Sequence, residues 1–433
     1  MKFGRSLGFL AALVSALCIG GLLSVAVTSK SYSESYPAVV CPPTLAGLTS
    51  QISLASKKTP FQRLQNRTTK TAPVKVLRLP VNKDSLLFSS DGVTPVVWQS
   101  RASSWAGGAV CTGPEASQWF VGGTADITTR GRLIIINSGL SDAVVDVQSF
   151  TENGKQPLRT ITVVSKNYQV IPTDSLAPGD KYLTVHVAPR SGRINAFVID
   201  EQGTGLKSLG GDLINSVSNA SKSVMIPAIP HQVKNNSALL HTLRVLTPGD
   251  VDASVTAEVL SSDGVFVPVG LTSRTVSAGI VTEFQFTPKI SSTVLAVRIT
   301  STEPVVAAVK STVTVAGRKD FVWSTSAPEL VPLTIAISGL TPLVSFVGER
   351  INVSLDVTLT NGKVVRKTVK GTDIATWRAP DAARSFTITK VGPDTFAGAL
   401  VSSVNGYGYF PIASGSLLTK IELPDSNIRV LNP

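Results

Sequence analysis

A strand-like run closed by a tight-turn dipeptide recurs three times and commits this chain to β-structure. The copies read Asp142-AVVDVQSFTEN-Gly154, Asp252-ASVTAEVLSSD-Gly264 and Arg350-INVSLDVTLTN-Gly362, with the glycine equally far from the first residue in each. Apolar and polar side chains alternate in every copy, the period of a strand with one face buried. Each run then reaches Asn-Gly or Asp-Gly, dipeptides that tolerate the positive φ of a two-residue hairpin turn. A second apolar run follows in each copy: Ala196-FVI, Val305-VAAV and Phe396-AGALV. Long amphipathic helical patterns are hard to find. The expected fold is mostly β, with about three tandem β-sandwich (Ig-like) domains, because one such domain takes about 100 residues. Their expected limits are roughly 85–220, 221–330 and 331–433. Val224-MIPAIPHQ reads either as a linker or as the first strand of the second unit.

Ahead of the repeats lies an uncharged run from Ser6 to Thr28, preceded by Lys2 and Arg5. Its length is nearer the roughly 20 residues of a membrane span than the ~7–15 of a signal-peptide core. Residues 1–29 are therefore expected to form a signal-anchor transmembrane helix. The flanking positive charges would keep the N-terminus inside and place the C-terminal bulk outside the cytoplasmic membrane. Ser24-Val25-Ala26 offers a small-x-small cleavage site, which would make the protein secreted instead. Cys18 could carry a lipid, but Leu17 stands where a small residue is wanted.

The net charge of +12 is concentrated just beyond that run. Between Lys30 and Asp84 nine cations, among them Lys57, Lys58, Arg63, Arg67 and Lys70, face only Glu34 and Asp84. Residues 30–84 are expected to be a basic extracytoplasmic tether. Such a tether could adhere to anionic lipid headgroups or an anionic wall polymer, or act simply as a solvated spacer. Nucleic acid is not an expected partner, since aromatics do not interleave with the charges.

Chemistry-bearing residues are few. Cys41 and Cys111 are the cysteines outside the hydrophobic run, and in an oxidising compartment they read as a disulfide, the alternative being two separate buried thiols. His186, His231 and His241 show no metal-ligand spacing and no triad motif. His186 sits in a strand-like alternation, while His231 and His241 flank a polar turn. No catalytic residue, metal or cofactor is expected. Asp200-Glu201 follows an expected strand and Asp212 follows Gly210-Gly211; they read either as turn chemistry, as a calcium site that lacks the usual dense acidic spacing, or as the acid and base of a polysaccharide-acting enzyme. The last reading needs two carboxylates converging within about 5–10 Å in a cleft. Glycine clusters at Gly107-Gly108, Gly122-Gly123 and Gly203-TGLKSLGG lack a phosphate-loop fingerprint and suggest loops or bulges.

Trp98, Trp105 and Trp119 cluster in sequence around Cys111. Exposed and coplanar, they would stack on sugar rings. Packed inward against a disulfide, they would be core, as a sandwich tryptophan often is. Trp105, within SSWAGG, is the one expected to be most exposed.

Four short stretches carry a resemblance. Cys41-Pro-Pro, Cys111…Trp119-Phe-Val-Gly-Gly123, Asp200…Gly210-Gly-Asp212 and Ile226-Pro-Ala-Ile-Pro230 resemble an actinobacterial family of exported proteins, the domain of unknown function number 5719. The likeness runs from about Cys41 to Val315. It implies an envelope location and β-architecture, and it supplies no catalytic residues. The function expected from the whole is non-enzymatic: a membrane-anchored scaffold or adaptor that binds another envelope protein. The alternative is a cell-wall glycan-binding module, or an accessory to a polysaccharide-acting enzyme.

Overall fold

The three repeated segments all become the hairpins that their spacing predicts. Ala143–Thr151, Ala253–Ser261 and the far half of Leu343–Leu359 alternate between core and surface. Each enters a turn whose glycine takes a positive φ: 105° at Gly154, 124° at Gly264 and 90° at Gly362. The turns are closed locally as well. Thr151 and Ser261 hydroxyls accept the amides of Asn153 and Asp263, and the Asn361 side chain accepts the amide of Lys363. Such side-chain-to-backbone bonds are why Asn, Asp, Ser and Thr concentrate at turns.

The computed structural model describes residues 13–15, 39–66, 68–73, 75–89, 92–205, 207–234 and 237–416. Among the described residues strands dominate, and helix is limited to Leu13–Ser15 and one short turn of 3-10 helix at Thr173–Ser175. Two sheets face each other in the first block. One contains Gln118–Val121, Thr184–Pro189, Ala143–Thr151, Gly154–Lys155 and Arg159–Val163; the other contains Asn167–Pro172, Arg132–Asn137, Ile194–Thr204 and Lys207–Ile214. Val121, Leu133, Val145, Val185 and Val198 fill the space between them, as in a sandwich. The second block is an eight-stranded sheet organised by the strand Val294–Val315. One half of that strand pairs with Ser221–Pro230 and Ala253–Ser261, the other with His241–Leu246 and Arg318–Thr325. The third is a seven-stranded sheet in which Leu343–Leu359 pairs with Val364–Arg378 on one side and with Ala383–Lys390 and Phe396–Ser402 on the other.

The blocks are not strung out as beads. Val93–Thr94 joins the third sheet, parallel to Leu333–Ala336. Val96, Trp98, Ala106 and Val110 share a core with Phe346, Phe386 and Phe410. From Val39 to Ser416 the described residues belong to one compact unit. Small residues permit that closeness. A Cβ on Gly211 would stand 2.8 Å from the Trp105 ring, and one on Gly408 would stand 2.6 Å from Trp98 and from the Gly108 amide.

The tether expected over 30–84 is corrected from Val39 onward. Val39–Cys41, Thr49–Ser53, Pro60–Arg63, Lys70–Thr71 and Arg78–Val81 are strands. Their apolar residues (Val40, Ile52, Leu54, Leu64, Leu79) are buried with Ile134, Ile136, Phe197 and Ile199 of the first block. The cations sit outside that core: Lys57, Lys58 and Lys70 are exposed and Arg63 is half-buried. Arg67 lies outside the described residues, as do residues 417–433 of the expected third sandwich and all of the expected anchor except Leu13–Ser15. Among the described residues no helix is long and apolar enough to cross a membrane.

Candidate functional site

Cys41 and Cys111 form a disulfide, with Cα atoms 4.7 Å apart. It ties the first strand of the folded segment to the block behind it, beside a backbone bridge in which Val40 N donates to Thr112 O at 2.8 Å.

The acidic residues singled out in the sequence come together, but in the interior. Asp200 and Asp212 lie opposite each other on paired strands, both fully buried. The Trp323 indole N–H donates to Asp200 Oδ2 at 2.9 Å, and the Trp323 amide donates to Asp212 Oδ2 at 2.7 Å. Asp320, on the strand of Trp323, accepts the Gly211 amide at 3.1 Å and the Phe321 amide at 2.9 Å. Two cations complete the cluster. Lys310 Nζ lies 4.1 Å from the Phe321 ring centre and 5.5 Å from that of Trp323. Arg244 stacks 4.7 Å from Trp323, pairs with Glu283 at 2.7 Å, and donates to the carbonyls of Gly123 and Leu183.

Burial sets the protonation of this cluster. It pushes the Asp212 carboxyl well above the usual range, with the Asp320 and Asp200 charges adding to the rise against the Trp323 and Leu213 amide bonds. Asp320 is raised to about 7, chiefly by burial and against the pull of the same kind of amide bonds. Lys310 is lowered by burial, a shift the Asp200 charge opposes. Glu201 points elsewhere, to Arg101, whose Nη2 donates to Oε2 at 2.9 Å. These carboxylates are neither turn residues nor a pair in a cleft. They are internal acceptors that hold the strands Lys207–Ile214 and Arg318–Thr325 together, as buried polar groups must be held.

The tryptophan platform is likewise corrected. Trp105 is 0% exposed, Trp98 7% and Trp119 8%. Each belongs to a different core cluster, so no shared face exists. The flanking serines and glycines of Trp105 do not form an exposed loop: the strand Trp105–Val110 is buried along its length. Trp119 stacks on His186 with ring centres 4.0 Å apart, and the Ser117 hydroxyl meets His186 Nε2 at 2.9 Å.

An open feature appears where the second and third blocks meet. A cleft of about 750 Å³ is lined by His231, Gln232, Thr293, Arg378, Ser402 and Tyr407, with Pro230, Leu343 and Leu400 as its apolar part. Beneath it runs a relay: His231 Nδ1 meets His241 Nε2 at 3.0 Å, and His241 Nδ1 meets Ser311 Oγ at 2.8 Å. Burial lowers both imidazoles; for His241 the neighbouring His231 lowers it further, to about 3. Both rings are therefore neutral near pH 7. The sequence brought the two histidines to notice through the short turn between them, but gave no sign of Arg378 or Tyr407 beside them. Among the described residues no three His, Cys, Asp or Glu side chains gather as a metal site would require.

A mostly-β chain with a disulfide and an inter-block cleft is the class that fold and site define. The chain belongs to a family of unknown function (DUF5719), whose sequence pattern matches residues 99–374. No curated protein matches the chain. Among solved structures it is similar to one titled "Crystal Structure of Thermotoga maritima 1070", at 13% identity over 25% of this chain and 93% of that one, with a TM-score of 0.19. A likeness that slight carries no argument.

Proposed function

We propose that this protein is a non-enzymatic scaffold of the bacterial cell envelope, working outside the cytoplasm and binding another envelope protein along the strand Val364–Arg378. The observation that carries the reading is the free edge of that strand. It is 15 residues long and pairs with Leu343–Leu359, and among the described residues no other strand is hydrogen-bonded to it. Unpaired backbone amides and carbonyls on a long edge are a ready template for an added strand. Arg366, Lys367, Lys370 and Arg378 line it against the single carboxylate of Asp373. Like charge on two copies opposes edge-to-edge pairing of the protein with itself, while an acidic partner segment is attracted.

Export is supported by the disulfide, since such bonds persist in oxidising compartments, and by the hydrophobic run ahead of the folded region. The anchored, N-terminus-inside orientation is carried into the proposal from the sequence, and the exposed Lys57, Lys58 and Lys70 would face the anionic surface of the envelope. The enzyme-accessory and tryptophan-based glycan readings lose the residues that motivated them, because those side chains are buried.

The test is affinity capture from cells with the wild-type protein and a Lys367→Glu/Lys370→Glu variant. Both side chains are exposed, so the variant should keep its thermal transition. The proposal expects a partner retained by the wild type and lost by the variant. Equal capture by the two refutes it.

A further inference from the structure

The cleft between the second and third blocks shares only Arg378, the last residue of the edge strand, with the free edge, and it has its own chemistry. Arg378 is the charged residue in its lining, and no carboxylate lines it. Gln232 is fixed by the backbone of Thr314, whose amide donates to Oε1 at 2.8 Å. Its Nε2 in turn donates to Tyr407 Oη at 3.2 Å. With its oxygen occupied as an acceptor, the Tyr407 O–H is left to donate, and no acceptor for it is found among the described residues.

His231 forms the wall behind these groups. It is 3% exposed, and its Nε2 is sealed from solvent, with the Ile290 carbonyl facing the ring. The groups that face this ring are the Ile290 carbonyl, the Asp263 carboxylate and His241. Asp263 is itself engaged from the outside by the Ser291 hydroxyl at 2.9 Å. Neutral rings joined in a chain share one proton between them. If Ser311 donates to His241, then His241 donates to His231, and Nε2 of His231 carries a hydrogen toward the Ile290 carbonyl; the reverse order leaves it bare.

A guanidinium and a phenol O–H without a competing carboxylate make an acceptor-seeking pocket, suited to carboxylate or phosphate. Apolar Pro230, Leu343 and Leu400 sit beside hydroxyl-bearing Thr293 and Ser402. That combination suits a ring with C–H faces and hydroxyl edges. The volume lies within the roughly 300–1,000 Å³ range of small-molecule sites, and junctions between blocks are where such sites concentrate.

We propose that this cleft binds an anionic sugar, its carboxylate or phosphate held by Arg378 and the Tyr407 hydroxyl, against the wall formed by His231. The test is titration of the purified full-length protein with glucuronate, glucose 6-phosphate and neutral glucose, read by calorimetry and by the imidazole NMR signals of His231 and His241. At least one anionic sugar should bind and move the His231 signals, while glucose should not. Which of the two binds more tightly identifies the acid group. Arg378→Gln should weaken binding roughly tenfold or more, as loss of a charge-assisted contact does, and Tyr407→Phe several-fold. Arg378 is exposed, so its variant keeps the fold. The proposal is overturned if neither anionic sugar binds, if glucose binds equally well, or if Arg378→Gln leaves the affinity unchanged. Lys367 and Lys370 are not part of the cleft lining, so failure here leaves the protein-partner reading standing, and the converse.

Discussion

Breaking the Cys41–Cys111 bond should cost about 4 kcal/mol, through the unfolded state more than the folded one. The two cysteines are 70 positions apart. Closing a loop of that length removes chain entropy worth about 4 kcal/mol at 25 °C in the loop-closure account. Little is lost in the folded state to offset or enlarge this. Both sulfurs lie in an apolar cluster with Val39, Val40 and Leu86, and the Val40–Thr112 backbone hydrogen bonds do not involve the sulfurs. A Cys41→Ala/Cys111→Ala variant, compared with the oxidised wild type in urea and followed by tryptophan fluorescence, isolates the effect. With a slope near 3 kcal/mol per M, the midpoint should fall by roughly 1 M or more. The slope itself should rise slightly, because the unlinked chain exposes more surface on unfolding. An unchanged midpoint would refute the reasoning. It would mean either that the bond does not form or that the unfolded chain already holds these ends together.

Other consequences follow from the interior. Asp320, raised to about 7, binds its proton more tightly folded than unfolded, so its contribution is largest below its ordinary range near 4 and fades as pH rises to about 7, at up to ~1.4 kcal/mol per unit. Asp320→Asn should flatten the fall in stability between pH 5 and 7; parallel wild-type and variant curves in denaturation series would contradict this. Glu115, also raised to about 7 by burial, leaves a residual slope of the same sign. His241 acts in the opposite sense: held near 3, it stabilises above its ordinary value near 6.5 and that contribution is lost as pH falls toward 3. Trp105→Ala should destabilise by about 3–5 kcal/mol as a core truncation, read by the urea midpoint, whereas a surface tryptophan would leave it nearly unmoved. Gly211→Ala should cost about 1–3 kcal/mol by overpacking against the same ring.

What could be read from the sequence was local. The three hairpins were legible because Asn-Gly and Asp-Gly act within a few residues. The cysteine pair was legible because few alternatives existed. The N-terminal strands were not, since each of the five has five residues or fewer and exposed Lys57, Lys58 and Lys70 draw the eye away from buried Ile52, Leu54, Leu64 and Leu79. Their core is completed by Ile134 and Phe197, far along the chain. Trp105 misled for a related reason: its neighbouring glycines, which signal a loop, instead let one strand lie close against another. Asp200 and Asp212 looked like turn residues because the residue that bonds them both, Trp323, lies more than a hundred positions away. Arg378 and Tyr407 came to His231 by the same long-range packing, which no local spacing encodes.

The scaffold reading is tested most directly by photo-cross-linking in cells from a reactive side chain at Thr368, on the exposed edge strand, with Leu140, 80% exposed in the first block, as the control position. The account predicts one reproducible envelope protein captured from Thr368 through an extended acidic segment, and none from Leu140. Capture from neither position, or the same products from both, would contradict it.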